Sequence, residues 1–156
     1  MIRIFDGNIF ESGAQAVVNP VNCVGVMGAG VALQFKTLYP DMFELYAQRC
    51  KQNLIEVGHV WVWRTNSDEF AWQDYNEPMY VFNFPTKKHW RDPSQLNWIA
   101  EGLDDLRRCV VNLNLNSISI PALGCGYGGL QFEDVSKLVD EKLSDLNTYI
   151  LLYKPA

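Results

Sequence analysis

The stretch ISIPALGCGYGGLQFEDV, Ile118 to Val135, decides how this chain folds. Its first residues, Ile118 to Ala122, are apolar-rich, and an amphipathic segment begins at Phe132. Between them stand four glycines in six positions, Gly124-Cys125-Gly126-Tyr127-Gly128-Gly129. An inert turn needs one glycine or two; this density lets consecutive backbone N–H groups converge on something that approaches the main chain closely. Strand, glycine loop and helix in that order form the repeating unit of an α/β sheet.

Working outward, the same order recurs. Gln15–Asn22 is a valine-rich buried strand, followed by a second glycine loop, GVMGAG, Gly25–Gly30. A helix starts at about Gly30, with Val31, Phe35 and Leu38 near the helical period; Pro40 stops it and Asp41–Gln52 forms another. Val57–Arg64 and Met79–Phe84 read as strands, the latter ended by Pro85, and Met1–Phe5 and Thr148–Tyr153 as the first and last. Pro93 and Ser94 open a helix whose apolar residues Leu96, Ile99, Leu103, Leu106 and Val110 fall at steps of three and four. Ser117–Ala122 is a strand and Phe132–Leu146 a helix, while Thr65–Pro78, polar and acid-rich, reads as an exposed loop. The alternation predicts a three-layer α/β/α fold with a mixed, largely parallel central sheet, residues 1–156 forming one domain. Ligands of such sheets lie beyond the carboxyl ends of the strands, so the loops after Asn22, Phe84 and Leu123 are the candidate site.

The 48% hydrophobic and 13% aromatic content belongs to an ordered globule. No apolar run is long enough to span a bilayer, and Met1–Phe5 reads as a strand, not a signal peptide, so a cytoplasmic location without membrane contact is expected. The formal charge of −5 argues against a general duplex binder. Lys87-Lys88-His89-Trp90-Arg91 is the densest basic cluster. Cys23, Cys50, Cys109 and Cys125 are scattered, without C-x-x-C or a Cys/His cluster, which argues against a zinc site and a disulfide framework. They read as buried free thiols, with Cys125, inside the glycine loop, the one to watch.

Neither glycine loop is a P-loop, because the Gly-Lys-Ser/Thr ending is missing. Gly25–Gly30 breaks the G-x-G-x-x-G pattern, and Gly124–Gly129 matches it only formally, late in the chain. Each leads straight into a helix, and two such loops at matching sheet positions make a cradle for a diphosphate, with no cofactor or metal required.

The segments VVNPVNCVGVMGAGVALQFK and IPALGCGYGGLQFEDV resemble those of macrodomains, the ADP-ribose-binding fold, over essentially the whole chain. With FPTKKHW, the pattern is most similar to the branch holding the DarG antitoxin macrodomains and the human terminal ADP-ribose protein glycohydrolase. The resemblance implies roles. Asn8, with Ile9, takes the adenine end; an asparagine stands where most macrodomains have an aspartate, which softens adenine selectivity. Asn22 reaches the distal ribose, although it and Asn19 also read as strand-end caps. Gly28, Ala29 and Gly30 form the first phosphate loop, and Gly124, Cys125, Gly126 and Tyr127 the second, with Val31 and Gly128 also among the substrate-binding residues. Thr86 precedes Lys87, which matches the branch's catalytic lysine.

A lysine amine can attack the anomeric carbon once its pKa is lowered, and the neighbouring cations Lys88, His89 and Arg91 are expected to lower it. The human relative has an aspartate in the second loop that resolves the lysyl adduct; here that position is Gly128, as in DarG-like sequences. Lys87 is then open to another role, polarising or protonating the leaving base while water attacks. His89 is either a proton relay or structural.

The implied substrate is ADP-ribose on a thymine base of single-stranded DNA, the implied partner a DarT-like ADP-ribosyltransferase toxin. The Lys87–Arg91 edge with Trp90 would meet the DNA, unless Trp90 and Trp98 are core residues. Two rival readings share the cradle: a module that binds ADP-ribose without turnover, and a hydrolase of glutamate-linked protein ADP-ribose. DarG antitoxins carry a further C-terminal domain, whereas this sequence stops soon after Tyr153, so a stand-alone member and a shortened form both remain open.

Overall fold

The computed structural model describes residues 1–156. In chain order the elements are β1 (Ile2–Phe5), a 3-10 turn (Ile9–Glu11), β2 (Ala16–Val21), α1 (Gly30–Leu38), α2 (Pro40–Lys51), β3 (Trp61–Arg64), α3 (Glu69–Tyr75), β4 (Tyr80–Pro85), α4 (Leu96–Asn112), β5 (Ser117–Ile120), α5 (Phe132–Leu143) and β6 (Tyr149–Tyr153). The six strands form one sheet in the order β1-β6-β5-β2-β4-β3. Every neighbouring pair is parallel except β3 with β4, which is antiparallel.

The period-two alternation of the strands divides the core in two. Ala16, Val18, Phe82, Phe84, Ile118, Ile120, Ile150 and Leu152 face α4 and α5, where Ile99, Leu103, Leu106, Val135, Val139 and Leu143 close the layer. Val17, Val21 and Val81 face the other way, onto Phe35 of α1 and Met42 and Tyr46 of α2. Helices therefore cover both faces, as the sequence predicts. Gly102 of α4 permits the close approach of Phe84: a Cβ there would lie 2.7 Å from Cε1 of that ring. No helix is long and apolar enough to cross a membrane.

Several element ends shift by one to three residues from the sequence expectation, helix α5 closing at Leu143 and not Leu146 and strand β5 at Ile120 and not Ala122; three further differences have a local reason. Thr65–Pro78 is not all loop, because Asp68 accepts from the Ala71 N–H at 2.8 Å and starts α3, which Asn76 ends in a left-handed conformation (φ 58°). None of its residues is buried, so no apolar periodicity announces it. β3 begins at Trp61 and not Val57, since Gly58 turns with φ +85° and the Val60 N–H goes to Asp105 of α4 at 2.7 Å. Helix α4 begins at Leu96, because Pro93 and Ser94 belong to the connection; the Ser94 N–H donates to the Gly128 carbonyl at 2.9 Å.

Candidate active site

β5, β2 and β4 are successive in the sheet, so three connections meet at their carboxyl ends: the second glycine loop, the first glycine loop and the segment starting at Thr86. β1, parallel to them beyond β6, brings Asn8 and Ile9 to the same end. Asn8 is exposed and caps the 3-10 turn, its Oδ1 accepting from the Phe10 N–H at 2.9 Å, while Ile9 is buried beneath it.

The first loop is held by side chains. Asn22 turns the chain at the end of β2, and its amide is committed within the loop. Oδ1 accepts from the Val24 and Val26 N–H groups (3.1 and 3.4 Å), and Nδ2 donates to the Val26 carbonyl at 2.8 Å. From beneath, the Tyr46 hydroxyl on α2 shares its one hydrogen between the Asn22 carbonyl (2.7 Å) and Oδ1 (2.8 Å). Burial pushes the Tyr46 phenol far above its ordinary range, so it stays a donor. These donors fix which way the amide points and leave one Nδ2 hydrogen uncommitted. Asn19 lies within β2 instead of capping it: its Nδ2 donates to Asn83 Oδ1 at 3.1 Å, and its own Oδ1 is buried without a partner.

Beyond Met27 the loop opens. Ala29 is the extended N-cap of α1, without a side-chain cap and with no acid in the first turn. The N–H groups of Gly28, Ala29 and Gly30 donate to no group of the chain. With Val31 in the open first turn, this bare helix start attracts an anion.

The second loop is held by its own backbone. Cys125 N–H donates to Ala122 (3.1 Å), Gly129 to Gly126 (3.2 Å) and Leu130 to Gly124 (2.9 Å), while the N–H groups of Gly126, Tyr127 and Gly128 have no partner in the chain. Gly128 has no room for a side chain, because a Cβ there would meet the Gly124 carbonyl oxygen and lie 2.5 Å from Ser94 Oγ. A carboxylate cannot stand at this position without moving the loop. Tyr127, at the tip, is 88% exposed.

Lys87 is half-buried where β4 gives out. Its backbone is tied to the first loop: Thr86 N–H donates to Val21 (2.9 Å), Cys23 N–H to Lys88 (3.0 Å), and the Cys23 thiol to the Lys87 carbonyl (3.6 Å). Burial lowers the Lys87 pKa from the ordinary lysine value, and Asp92 opposes the shift. The neighbouring cations expected to do this are not its cause. His89 Nδ1 accepts from the Arg91 N–H at 3.2 Å, so the imidazole is fixed in a turn. Burial also pushes the Cys23 and Cys125 thiols up to about 11, which rules out a thiolate nucleophile near neutral pH.

Sequence reasoning missed Tyr46 and Ser94. Tyr46 sits at a core position of α2, and only its position beneath Asn22 marks it; Ser94 looks like a helix start. A depression of about 390 Å³ lined by Met1, Arg3, Ser117 and Tyr149 lies at the amino ends of the strands, away from these loops.

The macro domain family model matches residues 18–139. A protein of Mycobacterium tuberculosis named DNA ADP-ribosyl glycohydrolase is 43% identical over all of this chain, which covers 43% of that protein. The solved macrodomain of Mycobacterium tuberculosis DarG superposes with a TM-score of 0.92 at 41% identity, covering 100% of this chain and 99% of that one. Thermosipho africanus DarTG in complex with ADP-ribose gives a TM-score of 0.88 at 32% identity, over 99% of this chain and 41% of that chain. This chain thus spans about two fifths of the length of the DNA ADP-ribosyl glycohydrolases it matches.

Proposed function

The chain belongs to the macrodomain family, and from that premise we propose that residues 1–156 act as one ADP-ribosyl hydrolase domain that removes ADP-ribose from modified single-stranded DNA. The observation that carries the reading is the convergence of two glycine loops with free N–H groups beside a lysine whose pKa burial has lowered. The name of the Mycobacterium tuberculosis relative supports the DNA substrate, and the Thermosipho africanus complex supports ADP-ribose as the group bound. A DarT-like transferase that installs the group is the matching partner, and a cytoplasmic site of action belongs to the same proposal.

From β1 to β4 there are four inter-strand steps, about 19 Å, which suits an extended adenosine–diphosphate–ribose chain. The adenine lies by Asn8 and Ile9, and the diphosphate on the N–H groups of Gly28, Ala29, Gly30, Gly126, Tyr127 and Gly128. The distal ribose lies between Asn22 and Lys87, with Thr86 and Val31 as walls. Binding energy from the adenosine end then orients the scissile bond.

With no space for a carboxylate at Gly128, Lys87 serves best as a general acid, for which a lowered pKa is an advantage near neutral pH. A water oxygen bonds to the anomeric carbon as the bond from that carbon to the base nitrogen breaks. The bonding pair goes to the base, which takes a proton from the Lys87 ammonium. The proton released by the attacking water passes to solvent, from which the Lys87 amine is reprotonated, leaving ADP-ribose and unmodified DNA.

The test is ADP-ribose release from a thymidine-ADP-ribosylated single strand by wild type and Lys87→Ala. Loss of about 10²- to 10⁴-fold in kcat with ADP-ribose affinity retained is the expected result. Tight ADP-ribose binding without turnover by wild type would leave a binding module or a hydrolase of another linkage.

A further inference from the structure

Three cations between Lys87 and Arg91 take no part in the ion pairs of this chain. Two of them lie on indole rings instead: Lys88 Nζ is 5.5 Å from the Trp98 ring centre, and the Arg91 guanidinium is 4.7 Å from that of Trp90. Trp90 is not a core residue; it is 46% exposed, with His89 tilted beside it at 5.3 Å between ring centres. Asp92 is the sole acid from Thr86 to Trp98, in a chain whose net charge is −5.

The strip is also fixed in place. Cys23 N–H to the Lys88 carbonyl ties one end to the first glycine loop, and Ser94 N–H to the Gly128 carbonyl ties the other to the second. At most about 11 Å of chain separates Lys87 from Trp90, a reach of one or two nucleotides.

Resting on the function proposed above, we infer that Lys88, Trp90 and Arg91 form a strand-binding subsite for the polynucleotide flanking the modified base. Trp90 stacks one neighbouring base, and Lys88 and Arg91, held on indoles and free of carboxylates, take adjacent phosphates. Stacking requires an unpaired base, so the subsite selects single strands over duplex. An otherwise acidic surface confines the polyanion to this edge.

The experiment has two arms, using Trp90→Ala and the double variant Lys88→Gln/Arg91→Gln. In the first, binding of a short oligothymidine strand, alone or paired with oligoadenosine, is followed by anisotropy. Wild type is expected to favour the single strand, Trp90→Ala to weaken it about tenfold, and the double variant to flatten the salt dependence by about 1.4 in log–log slope. In the second, kcat/KM for an ADP-ribosylated strand falls about tenfold in Trp90→Ala, while release from ADP-ribosylated thymidine does not change. Variants that bind and process the strand as wild type does would overturn the subsite while leaving the hydrolase reading intact. Strand binding lost in the variants, with no release by wild type from either substrate, would overturn the hydrolase reading and keep the subsite.

Discussion

The two glycine loops stand side by side and offer the same groups, yet they are held in opposite ways. The first hangs on side chains: Asn22 staples Val24 and Val26, and Tyr46 braces Asn22 from α2. The second is closed by its own backbone and packs so tightly that Gly128 admits no side chain. Their helices differ as well. α1 begins without acids, whereas α5 carries Glu133 and Asp134 in its first turn and so already compensates its own N-terminus. On the proposed reading, the first loop would supply more of the attraction for an anion, and the second more of the shape. Damage to shape should be nearly all-or-none, and damage to a brace should be graded.

The largest effect expected in the cradle is at Gly128. Gly128→Ala forces a Cβ against the Gly124 carbonyl and Ser94, at a cost of about 3 kcal/mol, or roughly a hundredfold in ADP-ribose affinity by calorimetry. Gly128→Asp should do no better, so a carboxylate placed here is not expected to open a second catalytic route. Either variant binding ADP-ribose like wild type would break the contrast between the loops.

Tyr46→Phe removes one donor and leaves Asn22 Oδ1 with its two backbone partners. About 1.5 kcal/mol, roughly tenfold, is expected in kcat, with a smaller change in ADP-ribose affinity. Equal losses in both would mean that Tyr46 supports the core and does not orient Asn22.

The pH dependence separates the roles open to Lys87. Because burial lowers its pKa, the ammonium is lost at a lower pH than for an ordinary lysine. As a general acid it should give a kcat that falls as pH rises through that lowered value, and Lys87→Arg, which cannot deprotonate, should abolish that limb along with most turnover. A kcat that instead rises with pH through the same value would show the free amine acting as nucleophile.

Much of this was legible beforehand, for reasons that differ by region. β2, β4 and α4 announce themselves through Val17, Val18, Phe82, Phe84 and the stripe from Ile99 to Val110, because burial imposes periodicity. The glycine loops are legible because few other purposes need so many glycines at a strand end. Helix α3 was not, having no residue in the core, and the start of β3 depends on Asp105, forty-five residues away from the N–H it satisfies. The Tyr46–Asn22 brace spans 24 residues and leaves no pattern in either neighbourhood. Lys87 carries a role through resemblance, but the cause of its lowered pKa, burial and not neighbouring charge, is a property of the assembled fold.

The smallest effects should come from the two cysteines, one in or beside each loop. Both thiols sit near a pKa of about 11, so each is protonated at neutral pH and slow to alkylate. They differ in what they hold. Cys23 donates to the carbonyl of Lys87 itself, whereas Cys125 donates to Leu123, within its own turn. Cys23→Ala should therefore lower kcat about twofold, because a weak sulfur hydrogen bond is worth well under about 1 kcal/mol. Cys125→Ala should leave kcat unchanged, since the backbone bonds that close its loop remain. The inverse order, with Cys125 the more sensitive, would mean that the second loop relies on its side chains after all, and that the lysine segment takes its position from elsewhere than the first loop.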